Sequence, residues 1–321
     1  MNAGGRPVAA AHRRPPPRRR SRVSTEPPIK RYHVPGHHFP LRRLDQMCPQ
    51  MISEPGFDRL KARIEKSILL HPAITDNAYC QWFRDADISH EEVRAFAQQF
   101  SVFSNLSNLA LLNRVIHAGS LESAREAKEI LLNELGVLYR KSGEAAPVDP
   151  AHMPTEGSVE GGTFRFQAAH YEWLLGFGAG LGLQFKEMGT RRQGTVETLS
   201  FCDALFRLFG SEDYSVAQGA SFAIENWAAS GFYTDLVAGL TRFKAARCPD
   251  LPLGFFTWHE KIEAQHKEHT WDELRETFRQ PEFNEERFIG AAMTMLDHTG
   301  AFCDGLMKQR DEIAARAAST R

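Results

Sequence analysis

The sequence predicts an all-helical protein, a single bundle of roughly eight or more helices. Beyond residue 45 the apolar residues repeat at helical spacing nearly throughout, and no segment shows the alternation of a half-buried strand. No strand–helix–strand rhythm and no repeat of roughly 20–50 residues is present, which argues against parallel α/β folds and solenoids. The 321 residues, 42% of them apolar, are enough to bury a substantial core.

Helix caps mark the first helices of this bundle. Ser89 and Glu92 form the capping-box pattern, so we expect a helix over 90–100, followed by a mostly apolar run. Ser120 stands in an N-cap position before a helix predicted to run from 121 to about 139.

The later helices are predicted from spacing and from further caps. Thr257 with Glu260, and Thr270 with Glu273, repeat the capping-box pattern, so a separate helix is expected to begin at each threonine. A loop is expected over 142–162, which is rich in Gly, Pro, Ser and acids. The remaining helices are predicted over about 164–183, 195–209, 211–240 and 284–316.

Residues 1–44 are predicted to be a disordered basic tail, and residues 45–321 to form the single helical domain. Residues 1–31 hold eight Arg and one Lys against one acid, Glu26, and therefore carry +8. Since the whole chain has a formal net charge of −1, the remainder carries −9. A segment this rich in Pro and like charges cannot bury enough apolar surface to offset its ordering entropy. The alternative is a nucleic-acid or membrane-surface arm, but no recognition fold follows it, so we predict neither partner.

Several classes of protein are excluded by what the sequence lacks. No apolar stretch reaches the roughly 18 residues that cross a bilayer, and no apolar segment follows the basic residues as in a secretory signal. The five cysteines are scattered without a CxxC pair, which argues against a disulfide framework and a thiolate zinc site. We therefore expect a cytoplasmic protein. The glycines over 176–182 lack the GxGxxG spacing and follow no strand, so no dinucleotide cofactor is predicted.

The strongest signal for chemistry is the spacing of His259, Glu263 and His266. On a helix, residues at i, i+4 and i+7 lie within a sector of about 60°, so the three side chains share one face. Two imidazoles and a carboxylate are a ligand set that suits non-heme iron. The alternative is a solvated polar face, because several neighbouring residues are also polar.

Three further residues could complete a metal site, since one helix cannot surround an ion. Glu225 and Glu134 interrupt apolar helical stretches, where an unpaired carboxylate has a large desolvation cost. His170 lies on an apolar helical face. A lone histidine in such a place is more often a hydrogen-bonded core residue, so the prediction rests on the three acids and three histidines taken together.

Taken in order, these residues resemble the heme-oxygenase-like diiron oxidases. The resemblance covers roughly residues 90–310 and rests on Asn133-Glu134-Leu135-Gly136, on His170 opening a helix that ends in Gly-Leu-Gly-Leu at 180–183, on Glu225, and on the final His/Glu/His motif. Two features depart from the family pattern. Glu263 stands where Asp is common, and the 35 residues between Glu134 and His170 are more than usual, which makes Glu160 a rival to Glu134.

The resemblance implies a heme-oxygenase-like bundle of about seven core helices, here with extra N-terminal helices. It implies two irons, O2 as co-substrate, an external electron donor and a small-molecule substrate, with N-oxygenation of an amine or amino acid as the preferred activity; a homodimer is compatible with it. The alternatives are an oxidative decarboxylase or C–C lyase of the same fold, a metal-free relative such as the TenA-like thiaminases or the quinone-cofactor synthases, and a binding protein that uses the basic tail. The implied iron ligands are Glu134, His170, Glu225, His259, Glu263 and His266.

Overall fold

The computed structural model of the protein describes residues 54–137, 154–155 and 166–319. Within these, nothing is described of the side chains at 54, 122, 126, 154–155, 166–167, 262–270 and 272–273. The described residues belong to one compact unit, Met51–Arg321. The predicted tail and most of the predicted loop over 142–162 lie outside them.

The described residues confirm the all-helical prediction. One short antiparallel pair, β1 (Pro154–Thr155) with β2 (Phe166–Gln167), interrupts the helices and was not predicted. The helices are α1 Glu54–Lys66, α2 Pro72–Thr75, α3 Ala78–Asp85, α4 His90–Ile116, α5 Leu121–Glu134, α6 His170–Gly180, α7 Val196–Phe209, α8 Tyr214–Trp227, α9 Tyr233–Arg247, α10 Gly254–Phe278 and α11 Glu285–Ser319.

Phenylalanines fill the centre of the bundle. The chain has 22 of them. Helix α4 packs on α5, α6 and α7, α11 packs along α7 and α8, and α10 packs on α6, α8 and α9. Large aromatic side chains suit these crossings because each buries much apolar surface. The least exposed of these rings are Phe83, Phe96, Phe100, Phe177, Phe201, Phe256, Phe288 and Phe302.

Two of the predicted caps are confirmed. The hydroxyl of Ser89 accepts from the Glu92 backbone N–H at 3.3 Å, and the Glu92 carboxylate accepts from the Ser89 N–H at 2.7 Å. Helix α4 continues through the apolar run as one helix of 27 residues. Ser120 caps α5 by accepting from the N–H of Ser123 at 3.1 Å.

The predicted helix starts at Thr257 and Thr270 are wrong. Helix α10 begins at Gly254 and continues without a break to Phe278. Phe255 and Phe256 are buried, so packing extends the helix upstream of Thr257. The Thr257 hydroxyl instead donates to the Leu253 carbonyl at 3.2 Å, a bond that threonine makes inside helices. The capping-box pattern cannot distinguish these two uses of a threonine.

The predicted helix over 211–240 is divided in two. Asp213 caps α8 by accepting from the backbone N–H groups of Ser215 and Val216. A π-helical turn, Ala228–Phe232, then joins α8 to α9, and Gly231 within it has φ +106°. Glycine can adopt this left-handed conformation, which interrupts the regular hydrogen bonding of the helix.

Four described cysteines are free thiols: Cys80, Cys202, Cys248 and Cys303. Burial raises the pKa of Cys202 and of Cys303 to about 12, so neither readily forms the thiolate that binds metals. None of the described helices is long and apolar enough to cross a membrane.

Candidate metal centre

Glu134 is the last residue of α5, and the backbone after it explains why the helix ends there. Gly136 has φ +70°, its N–H donates to the Asn133 carbonyl at 3.0 Å, and the Val137 N–H donates to the Leu132 carbonyl at 2.8 Å. This is the Schellman termination, which favours glycine after a helix. The expected continuation to about 139 is therefore wrong, and the glycine fixes Glu134 at a helix end.

His170 is the first residue of α6. The Glu172 carboxylate accepts from the Ala169 N–H at 3.2 Å and so secures the start of the helix. Helix α6 ends at Gly180 in the same Schellman pattern, in which Gly182 has φ +75°. The helix expected over 164–183 is therefore too long at both ends. The His170 side chain is buried, with only 3% of its surface exposed.

His259 lies in the second turn of α10 and is also buried, with 8% exposed. Its Nδ1 lies 2.7 Å from the backbone carbonyl oxygen of Phe255. Because a carbonyl only accepts, Nδ1 carries the proton, and Nε2 is the nitrogen that can bind a metal. Backbone support of this kind is common behind metal-binding histidines, since it fixes both the tautomer and the ring orientation.

The three side chains meet. One donor atom from each of Glu134, His170 and His259 lies within 4.8 Å of the other two, which makes them a group that could hold a metal ion. His170 Nδ1 lies 3.0 Å from Glu134 Oε1, and the Glu134 side chain is 25% exposed.

The arrangement of His170 and Glu134 fits a bound cation. Although the two atoms are close, His170 Nδ1 is buried without a hydrogen-bond partner, so the ring is not aligned to donate to the carboxylate. A buried nitrogen in this condition is costly. Two ligand atoms that bind one ion at about 2.1 Å and about 90° are themselves about 3.0 Å apart. A metal ion would therefore satisfy both groups, and the set of two histidines and one carboxylate is the one that suits non-heme Fe(II).

Aromatic rings surround the two histidines. The Tyr233 ring stacks on His259 with centroids 5.0 Å apart, and Phe255 lies 4.2 Å from it. Trp258 lies 4.2 Å from His170, and Trp173 lies 5.1 Å from it. Such a shell holds the imidazoles in place and limits access of water to the donor atoms. This aromatic shell was not predicted, although Trp258 directly precedes His259 and Phe255 precedes it by one turn.

Of the other predicted ligands, only Glu225 has a described side chain that can be compared with this group. Glu225 lies on α8, is partly buried and is not among the three grouped residues. Glu263 and His266 lie on α10, whose backbone is helical through both positions, but their side chains are outside the described part of the structure. Glu160 lies outside the described residues altogether.

The overall fold is heme-oxygenase-like, as comparison with solved structures indicates. A TenA homolog from Pseudomonas syringae superposes with a TM-score of 0.54 at 12% identity, covering 78% of this chain and 92% of its own. A CADD-like protein of unknown function from Nostoc punctiforme gives 0.53 at 21% identity, covering 79% and 97%. A domain from Shewanella denitrificans described as having a heme oxygenase-like fold gives 0.50 at 17% identity, covering 82% and 96%. No family model matches the chain, and no curated protein does.

Proposed function

We propose that the protein is an O2-dependent non-heme diiron oxygenase that oxidises a small metabolite. The preferred substrate is an amine or an amino acid, oxidised at nitrogen. The observation that carries the proposal is the buried Nδ1 of His170, which has no hydrogen bond and faces a carboxylate next to a second buried histidine. A histidine with a purely structural role in the core would instead have its buried ring nitrogen in a hydrogen bond.

In this proposal Glu134, His170 and His259 hold one iron. Glu225, Glu263 and His266 are proposed as the remaining ligands, which the spacing on α10 and the acid on neighbouring α8 support. Iron bound there would supply the electrons that activate O2, and an external donor would restore them.

The chain's own residues have three tasks. The Phe255 carbonyl keeps the proton on His259 Nδ1, so that Nε2 presents its lone pair. The carboxylate of Glu134 lowers the net positive charge of a bound cation in a partly buried place. The rings of Trp258, Tyr233 and Phe255 exclude water, so that the reacting substrate competes with few solvent molecules.

The experiment is anaerobic loading with Fe(II), followed by measurement of O2 uptake with a panel of amines, amino acids and fatty acids and with an added reductant. Mass spectrometry identifies the products. We expect one substrate class to accelerate O2 uptake and to gain oxygen, while protein loaded with Zn(II) stays inactive because zinc has no redox chemistry. A product shortened by one carbon would favour the decarboxylase or C–C lyase instead.

The second candidate is a metal-free enzyme related to TenA, which the likeness to the TenA homolog favours. The two candidates differ in their response to chelation. Activity of a metal-free enzyme survives exhaustive treatment with a chelator, whereas activity of the diiron oxygenase disappears and returns when Fe(II) is added back.

A further inference from the structure

Two tryptophans connect the histidines of the candidate metal centre to each other and to the outside. The Trp258 ring centroid lies 4.2 Å from that of His170 and 5.0 Å from that of His259. The Trp173 centroid lies 5.1 Å from His170 and 5.8 Å from Trp258. Trp258 is thus a neighbour of both histidines, and Trp173 is a neighbour of His170 and of Trp258, at separations that permit electron transfer without large motion.

Burial decreases along this series. His170 and His259 are buried, whereas Trp258 and Trp173 are each only partly buried. Each indole therefore has part of its surface at solvent, where a soluble reductant can act, although Nε1 of Trp173 is itself buried.

A second group of aromatic rings starts at His259 and leads into the core of the bundle. Tyr233 stacks on His259, and Phe232 lies 5.1 Å from Tyr233 and 4.2 Å from Trp227. Trp227 is only 2% exposed and adjoins the buried Phe201. Phenylalanine is much harder to oxidise than indole, so among the described ring contacts this branch offers a worse route for an electron.

We propose that Trp258 and Trp173 form a relay that returns single electrons to the metal centre when O2 has been activated without substrate. This inference rests on the proposed iron chemistry, with O2 as the oxidant. Trp258 gives up one electron and becomes an indole radical cation, while the oxidised centre is reduced by one electron. Trp173 then refills Trp258, and an external one-electron donor, such as a thiol or a reduced flavin, refills Trp173. Each transfer moves one electron. After all three, one electron has passed from the external donor to the centre, and both indoles are in their original state. The relay protects the histidines from oxidation.

The relay predicts where damage accumulates when the external donor is absent. Protein with confirmed bound Fe(II) is exposed to O2 without substrate or reductant, and tryptic peptides are analysed for tryptophan gaining one or two oxygen atoms. We expect oxidation at Trp173 and Trp258 to exceed that at Trp82 by at least about tenfold. Trp82 on α3 is the matched control, because it is also partly buried but has no recorded ring contact with either histidine.

The variant Trp258→Phe distinguishes electron transfer through Trp258 from the contribution of Trp258 to packing. Phenylalanine keeps an apolar ring at this place, so helix content should stay the same, and the variant is compared with the parent protein at equal bound iron. With one electron source removed from beside both imidazoles, oxidation of His170 and His259 should rise several-fold, while Trp173, which also neighbours His170 directly, should still be oxidised. Trp82→Phe should change none of these values. Electron paramagnetic resonance should detect an indole radical in the parent protein, and its signal should be smaller in Trp258→Phe, which retains only Trp173 beside His170.

The outcomes separate this inference from the proposed function. Normal iron binding and O2 uptake with equal oxidation of Trp82, Trp173 and Trp258 would overturn the relay and leave the oxygenase intact. Unchanged oxidation of His170 and His259 in Trp258→Phe, at equal bound iron, would also overturn it. Protein that binds no iron, or whose iron does not react with O2, would overturn both.

Discussion

Two buried histidines in this molecule have opposite surroundings. His71, between α1 and α2, uses both ring nitrogens: Nδ1 accepts from the Ala73 N–H at 3.2 Å, and Nε2 lies 3.1 Å from Asp297 Oδ1. His170, at the start of α6, is buried to a similar degree, yet its Nδ1 has no hydrogen bond and lies 3.0 Å from Glu134. The first arrangement accounts for a structural histidine, whereas the second is one that could hold a cation between the two side chains.

The largest expected effect on iron binding comes from replacing His170, with the same replacement at His71 as the comparison. His170→Ala should weaken binding of one iron by more than about a hundredfold, because a ligand is removed outright. Circular dichroism should show the same helix content as the parent protein. His71→Ala is the control and should keep the full iron content. If both variants lose iron equally, the distinction between the two histidines fails.

The carboxylate beside His170 comes next in expected size. Glu134→Ala should lower the affinity for one iron by about 10–100-fold or more, since it removes a ligand from the three-residue group. Glu160→Ala should keep both irons. Measurement of iron content after gel filtration distinguishes the two acids. Full iron content in Glu134→Ala together with loss in Glu160→Ala would reassign the ligand to the segment between α5 and α6.

For the free energy of unfolding the two histidines should rank the other way, so that replacing His71 destabilises the metal-free protein more than replacing His170. His71→Ala should lower the free energy of unfolding by about 1–3 kcal/mol, because the Ala73 N–H loses its cap and a buried side chain is removed. His71→Asn should lower it less, since an asparagine oxygen can still accept from Ala73. Urea unfolding measures both values. A His170→Ala variant of metal-free protein that is more destabilised than His71→Ala would mean that His170 is also structural.

A smaller effect is expected at the glycine that positions Glu134. Gly136→Ala should lower stability by about 1 kcal/mol, because φ +70° is unfavourable for alanine, and should weaken iron binding by displacing the end of α5. Gly119→Ala is the matched control, since a Cβ at Gly119 meets no atom within 4 Å. Equal iron affinity in the two variants would show that the helix end does not determine the position of the carboxylate.

The smallest effect is expected at the exposed partner of His71. Asp297→Asn should change the free energy of unfolding by less than about 0.5 kcal/mol, because the Asp297 side chain is 73% exposed and water screens the pair. Thermal unfolding at low and at moderate salt measures this change. A loss above about 1 kcal/mol would mean that Asp297, and not the cap, determines the contribution of His71.

These contrasts also show what the sequence could predict. Glu134 and His170 were predicted because polar side chains in apolar helical stretches require a partner, and His259 was predicted from its helical spacing with two other polar residues. The fold brings Glu134, His170 and His259 together. The tautomer of His259 could not be predicted, because it depends on the Phe255 carbonyl, which is available only if α10 begins before Thr257. That early start is set by burial of Phe255 and Phe256, and the local cap pattern at Thr257 indicated a later one.

Helix ends were predicted unevenly for a related reason. Ser89 and Ser120 begin helices as expected, because their side-chain bonds are local to the chain. The early end of α5 depends on Gly136 adopting a left-handed conformation, and the division of α8 from α9 depends on Gly231. A glycine permits such conformations without requiring them, so spacing alone did not locate these breaks.

The most direct test of the metal centre is an anaerobic Fe(II) titration of the purified full-length chain, followed by gel filtration and elemental analysis. The account predicts about two irons per chain, with the first lost in His170→Ala, as expected of a helical bundle that supplies a two-iron ligand set. Iron content well below one per chain after reconstitution, or the same content in the parent protein and in His170→Ala, would contradict it.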